Sequence, residues 1–408
     1  MIKKKVLPGI DVFLNGEHSY LGGRKIALLS NYSATNYDLI SSIDLLTNRP
    51  EFKISVLIAA EHGLWGHYQA GENVPVQIDR RTGLKIHSLY NQEDHSFQMV
   101  SEGIDERMRK FDISDSGKKI NESVLEDIDI IIFDLQDVGT RIYTYISTMG
   151  YLMSSISGKD KRLIILDRPN PITGIHIEGP ILKYPEFSSF VGFYSIPIRH
   201  GMTIGELSLM FNKELFQNKV NLSIVKNENW KREYWFDQTG LNWVNPSPNI
   251  PTLNTAIVYP GMVFLEGTNI SEGRGTTTPF EIFGAPWIDG KAITDKLNGE
   301  NLTGVIFRET LFIPSFSKYS GEKCSGSKLF ITDRESFCPF KTSLHIISVI
   351  KELHPKNIIF HKEYFDMIAG NSEILTMITS GVKVNDIIES YITELSEFNS
   401  NCNQYFMY

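Results

Sequence analysis

Four short apolar runs punctuate the first half of the chain: residues 25–30 (KIALLS), 53–60 (KISVLIAA), 128–133 (IDIIIF) and 162–166 (RLIIL). Near-continuous apolar character over so few residues, rich in isoleucine and leucine, is the pattern of strands buried on both faces. Between the runs, 37–46 and 142–156 read as helices. Strand and helix therefore alternate as in βαβ units, and an α/β fold with a Rossmann-like, mostly parallel sheet and helices on both faces is predicted.

From about residue 190 the pattern changes. GFYSIPIRHGMTIGELSLMFN reads as a strand-like run that passes through Thr203 into a helix, with Glu206 at its third position to complete a capping box. A strand is predicted over 220–225, and the proline-rich WVNPSPNIPT (243–252) must be an ordered turn or a linker. Further strands are predicted at 303–307 and 329–332, and helices at 343–353, 373–379 and 384–398. In the last of these Val384, Ile387, Ile388, Tyr391, Ile392 and Leu395 share one apolar face. The expected division is a Rossmann-like catalytic domain over 1–194 and a smaller α+β accessory domain over 195–408.

Composition narrows the class. A chain of 408 residues exceeds one ordinary core, and 41% hydrophobic with 22% charged residues is a globular balance. No apolar run reaches the roughly 18 residues a membrane span needs. A net charge of −8 with scattered basic residues, apart from Lys3–Lys5, argues against nucleic acid, so any anionic ligand must be met by a local cation. Cys324, Cys338 and Cys402 form no CxxC pair and suggest neither a zinc site nor a disulfide framework. The opening VLPGIDVFL is broken by Pro8, Gly9 and Asp11 and shows no cleavage site, so no signal peptide is expected in the chain as given. A cytoplasmic location is expected on that reading, and a periplasmic or extracellular one if a signal was removed.

The chemistry gathers where the predicted strands end, because open α/β sheets bind ligands outside the carboxyl ends of their strands. Those exits carry Asn31, then Glu61 and His62, then Asp134, Gln136 and Asp137, then Asp167 and Arg168. Glu61 follows an apolar strand directly and precedes Trp65; desolvation there would favour its protonated form, as a general acid requires. A structural role, capping a helix or bridging to an arginine, is the alternative. His62 and His67 do not have the spacing of a helical zinc motif, and no metal or other cofactor is expected. In DLQDVGTRIYTY the acids, Arg141 and Tyr143 suit a sugar's hydroxyl edges and apolar face, though a structural Asp–Arg pair with core tyrosines fits as well.

Residues 266–280, EGTNISEGRGTTTPF, have neither strand nor helix periodicity and read as a ligand loop bearing Glu266, Asn269, Glu272 and Arg274. Loop-internal hydrogen bonding is the alternative for both glutamates. An arginine flanked by glycines is suited to forked binding of an approaching carboxylate. With no G-x-S-x-G elbow, no cysteine near a motif and no complete dinucleotide fingerprint, carboxylate chemistry is left.

PGIDVFL, AAEHGLWG, DLQDVGTRIYTY, LDRPNP followed by EGP, PIRHGMTIGEL, PSPNIPT and EGTNISEGRGTTTPFEIFGAPW together span nearly the whole chain. In that order they resemble the NamZ-like exo-β-N-acetylmuramidases, glycoside hydrolase family 171. The resemblance implies an active-site cleft between a Rossmann-like and an accessory domain. It also implies hydrolysis of the β-1,4 bond after a terminal N-acetylmuramic acid at the non-reducing end of peptidoglycan fragments, with the catalytic glutamate of the EHG block at Glu61. Many relatives carry an export signal, which this chain does not show. The substrate's lactyl carboxylate then calls for a cation: Arg274 first, with Arg141 and Arg168 as alternatives. Glu266, Glu272 or Asp137, or the substrate's 2-acetamido group, would assist Glu61. Two other classes remain open at this point, a non-catalytic muropeptide-binding protein and a metal-dependent amidase or esterase. The oligomeric state is unknown.

Overall fold

The computed structural model describes residues 5–72, 74–88 and 122–408, so Lys3 and Lys4 lie outside the described residues. Its larger sheet has seven strands: β1 Ile26–Ser30, β2 Ile54–Ala59, β3 Gln77–Ile78, β4 Lys85–Ser88, β5 Ile130–Asp134, β6 Arg162–Leu166 and β7 Asn221–Val225. Their order is β3-β4-β2-β1-β5-β6-β7, parallel throughout except for the β3/β4 edge pair. The chain leaves β1 for β2 on one side and later returns to place β5 on the other, so the order of strand addition reverses between β1 and β5. That is where an open α/β sheet forms its crevice.

Alternation explains why the four runs had to be strands. Ala27, Leu29, Ile131, Phe133, Leu163 and Ile165 pack into one core, while Ile26, Leu28, Ile130, Ile132, Ile164 and Leu166 pack into another on the opposite face. Polar alternation would have left one face wet.

The smaller sheet is antiparallel, β8 (Ile282–Ala285), β10 (Cys324–Ile331) and β9 (Val305–Phe312) in that order. It shares the first core: Tyr259, Phe264, Phe283, Phe307 and Phe340 belong to the same cluster as Leu29 and Phe133. The division expected at 194/195 cuts through the larger sheet, because the helix Ile204–Glu214 and β7 complete it. The capping box at Thr203 and Glu206 starts that helix. Two helical expectations also change. The apolar face over 384–398 is split into Val384–Glu389 and Ile392–Cys402, and 37–46 contains only the helix Ser42–Thr47. The run after residue 190 forms no strand; Arg199 instead makes isolated bridges to Thr140 and Glu178.

Candidate active site

Glu61 stands two residues beyond β2, 9% exposed. Its Oε1 accepts the Gly71 N–H at 3.1 Å and its Oε2 accepts the Thr144 hydroxyl at 2.5 Å. Thr144 is the N-cap of the helix Tyr145–Ile156 but its side chain does not cap it. A hydroxyl can donate to a carboxylate or accept from a carboxylic acid, so this contact survives a change in Glu61 protonation. Among the described residues no lysine or arginine lies within ion-pair distance of Glu61.

His62 adopts φ 71°, the left-handed region that non-glycine residues seldom occupy, and this turn sends the chain away from the strand. Its Nδ1 donates to the Tyr68 carbonyl at 2.8 Å. Burial lowers its pKa against the opposing pull of Glu61, so the ring is held neutral. The proline-rich segment is an ordered turn beside this exit: the hydroxyls of Tyr32 and Tyr145 donate to the Asn245 and Pro246 carbonyls, and Asn249 donates to Gln69.

The 266–280 segment is indeed mostly loop, entered through the helix Leu253–Met262 and a 3-10 turn, Val263–Gly267. Glu266 Oε1 accepts from Arg274 Nε and Nη2 at 2.9 and 2.7 Å, and its Oε2 accepts from the Tyr364 hydroxyl at 2.8 Å. Glu272 pairs with Lys318 at 3.0 Å and with Arg274 at 3.5 Å. Burial acts to raise the Glu272 pKa, but Lys318 and Arg274 together hold it below the usual carboxylate range. Asn269 is a tie, donating to the Asn357 carbonyl and accepting from the Ile359 N–H. The flanking glycines answer to backbone needs. Gly273 and Gly275 sit at φ 81° and 80°, and a Cβ on either would come within 2.4 Å of Ile282 or Phe316.

The two walls meet at Tyr259. Burial pushes its phenol pKa up first, Glu266 adds to this, Arg274 opposes it, and Glu61 and Asp137 add again. Groups from 61, 137, 266 and 274 thus act on one hydroxyl. Tyr145, Tyr143, Tyr259 and Phe280 form a chain of ring contacts at 4.7, 6.2 and 4.9 Å between centroids, linking the strand exits to the loop.

Other expected site residues serve the scaffold. Arg141 is fully buried and donates to the carbonyls of Pro180, Ile196, Ile368 and Ala369, and burial pushes its guanidinium down to about 9. Arg168 forks onto Asp134 at 2.5 and 2.9 Å and donates to the Thr35 carbonyl. Neither guanidinium is left to grip a lactyl group. Gln136 donates to the carbonyls of Asp137 and Pro169. Asp167 accepts from Thr203, the Gly205 N–H and Tyr408, which ties the carboxyl-terminal residue to the end of β6. Tyr143 is buried within the ring chain.

Sequence reasoning did not single out Thr144, Tyr259, Lys318, Tyr364 or His200. The first and last lie inside quoted motifs, while the others are marked only by contacts distant in sequence. Among the described residues no group of three histidine, cysteine or acidic side chains is arranged to hold a metal ion, and no helix is long and apolar enough to cross a membrane.

Comparison with known proteins adds to this geometry. The family profile described as Exo-beta-N-acetylmuramidase NamZ, N-terminal, matches residues 26–121 and 107–254, and its C-terminal counterpart matches 257–408. The peptidoglycan beta-N-acetylmuramidase NamZ of Bacillus subtilis (strain 168) is 44% identical over 407 residues, covering 100% of this chain and 92% of that protein. Two crystal structures of DUF1343 family proteins from Bacteroides fragilis NCTC 9343 superpose with TM-scores of 0.86 and 0.73, at 31% and 25% identity, each over 99% of both chains.

Proposed function

Because the chain belongs to the NamZ family of exo-β-N-acetylmuramidases, glycosidases that act on peptidoglycan, we propose a specific reaction for it. It releases terminal N-acetylmuramic acid from the non-reducing end of peptidoglycan fragments by hydrolysing the β-1,4 bond to N-acetylglucosamine, with Glu61 as the general acid.

The observation that carries this assignment is a contrast in partners. Glu266, Glu272 and Asp134 are each ion-paired with arginine or lysine. Glu61 is held by a hydroxyl and a backbone N–H alone, among the described residues, and can carry a proton to a leaving oxygen. As the C1–O bond breaks, its electron pair stays with the leaving oxygen, which takes the Glu61 proton. Water then supplies the new oxygen on C1, and the proton it releases restores the carboxyl.

Glu266 and Glu272 fit the task of aiming Arg274 better than that of reacting. Arg274 Nη1 makes no hydrogen bond among the described residues, and the guanidinium lies within electrostatic reach of His62 beside Glu61. That supports Arg274 as the grip for the lactyl carboxylate, with His62 lining the site. The two units divide near residue 255, a reading supported by the membership of β7 in the larger sheet.

The deciding experiment is turnover of a defined muramyl-glucosaminyl disaccharide by wild type and Glu61→Gln. Loss of about 100-fold or more in kcat is expected; wild-type turnover by the variant sinks the assignment.

A further inference from the structure

Hydrolysis leaves positive charge on the sugar as the bond breaks, and a second group must meet it. Of Glu266, Glu272 and Asp137, the three carboxylates expected in that role from sequence, the two glutamates are committed to Arg274, Tyr364 and Lys318. Asp137 is not. Its Oδ2 accepts the Gly139 N–H at 2.7 Å, whereas its Oδ1 is buried with no hydrogen-bond partner among the described residues. The side chain is 8% exposed and acts on the same Tyr259 phenol as Glu61.

A turn at Gly139 does not account for this residue. An Asx turn needs one oxygen, which asparagine supplies without burying a charge. An unpartnered buried acceptor costs about 1–3 kcal/mol, more for a charged group, and such an orphan calls for a reason.

His200 supplies the second observation. It is fully buried and its Nδ1 accepts the Met202 N–H at 3.1 Å, so the ring proton sits on Nε2. That nitrogen lies 3.4 Å from Asp137 Oδ2, within ion-pair distance but with no hydrogen bond made, and it has no other partner among the described residues. Contacts of this kind tighten when substrate arrives.

We propose that Asp137 is the second carboxylate of the reaction, its Oδ1 turned to the anomeric side of the sugar, and that His200 is the positioning residue that holds it there. Asp137 forms no bond to C1. It opposes the charge that builds on the ring and the acetamido group while Glu61 protonates the leaving oxygen. The inference rests on the glycosidase reading above.

The test compares wild type, Glu61→Gln and Asp137→Asn on the muramyl-glucosaminyl disaccharide and on 4-nitrophenyl β-N-acetylmuraminide, whose leaving group departs without a proton. Asp137→Asn keeps the turn at Gly139 and is expected to lose about 100-fold or more in kcat on both substrates. Glu61→Gln is expected to fail on the disaccharide and recover on the aryl glycoside. If Asp137→Asn keeps turnover within about threefold on both substrates, or recovers on the aryl glycoside as Glu61→Gln does, the inference is overturned. If Glu61→Gln matches wild type on the disaccharide, the Glu61 reading fails while the Asp137 result stands on its own.

A second arm does not depend on the folding of the Asp137 variant. His200→Ala should lower kcat about tenfold with KM held within about twofold, and His200→Gln, which keeps an N–H donor, should restore most of it. Equal losses in both variants, or a loss confined to KM, would overturn the positioning role.

Discussion

The Thr144 hydroxyl lies 2.5 Å from Glu61 Oε2, although Thr144 stands at the N-cap of a helix where its hydroxyl would ordinarily bond back to the first turn. The helix gives up a cap so that a carboxyl gains a partner.

Thr144→Val should therefore leave the helix in place and lower kcat about tenfold, the equivalent of one net hydrogen bond of roughly 1.4 kcal/mol. Steady-state kinetics beside a thermal melt separates the two effects. A large drop in melting temperature with unchanged kcat would show that the contact only stabilises.

Replacing Arg274 tests recognition. Removal to alanine leaves Glu266 without its cation and Glu272 with Lys318 alone, and should cost about 3–5 kcal/mol of stability, as breaking a buried pair does. Arg274→Lys keeps the charge but loses the fork, so it should remain folded and bind muramyl ligands less well while leaving glucosaminyl analogues unaffected. Affinities for both sugars by calorimetry decide the matter; equal weakening removes Arg274 from lactyl recognition.

Stability should respond to pH through Asp167. Burial first of all pushes its carboxyl up to about 6, against the hydrogen bonds from Tyr408, Gly205 and Thr203. An acid whose folded pKa is raised binds its proton more tightly in the folded state. Its contribution is therefore absent above about pH 6, grows as pH falls through that value and is complete below the unfolded value near 4. Two units correspond to a difference on the order of 3 kcal/mol. Denaturant melts from pH 7 to pH 4 should show wild type gaining stability relative to Asp167→Asn; a constant gap between them contradicts this.

The loop should have an acid limit of its own. Lys318 donates to the carbonyls of Leu265 and Ile270 as well as to Glu272. Glu272 has a depressed pKa, so its stabilisation is present above the unfolded value and disappears as pH falls through the folded one. Lys318→Met should cost about 3–5 kcal/mol and shrink that acid-dependent loss to the part Arg274 supplies. Hydrogen exchange across 266–280 is the local readout.

The strands were legible because both faces of the larger sheet are buried, and such strands advertise themselves as unbroken apolar runs. The boundary was not, since β7 joins the sheet by a register with β6 that no composition change marks. The position of Glu61 at the exit of β2 was legible from the apolar run before it, but its partners Gly71 and Thr144 were not. The fates of Arg141 and Arg168 were hidden because their acceptors, such as Ile368 and Thr35, lie far away in sequence. Arg274 shows the same limit in milder form. The glycines beside it suggest room for an approaching ligand, whereas the need for them visible in the fold is positive φ and the closeness of Ile282 and Phe316 behind the loop.

Arg141 joins the two halves through four main-chain oxygens, two from 180 and 196 and two from 368 and 369. Main-chain acceptors do not depend on which side chains they carry, so the identities of Ile368 and Ala369 answer to the core they are buried in and not to these bonds. Arg141 has no such independence. A single codon change at 141 would remove all four bonds at once.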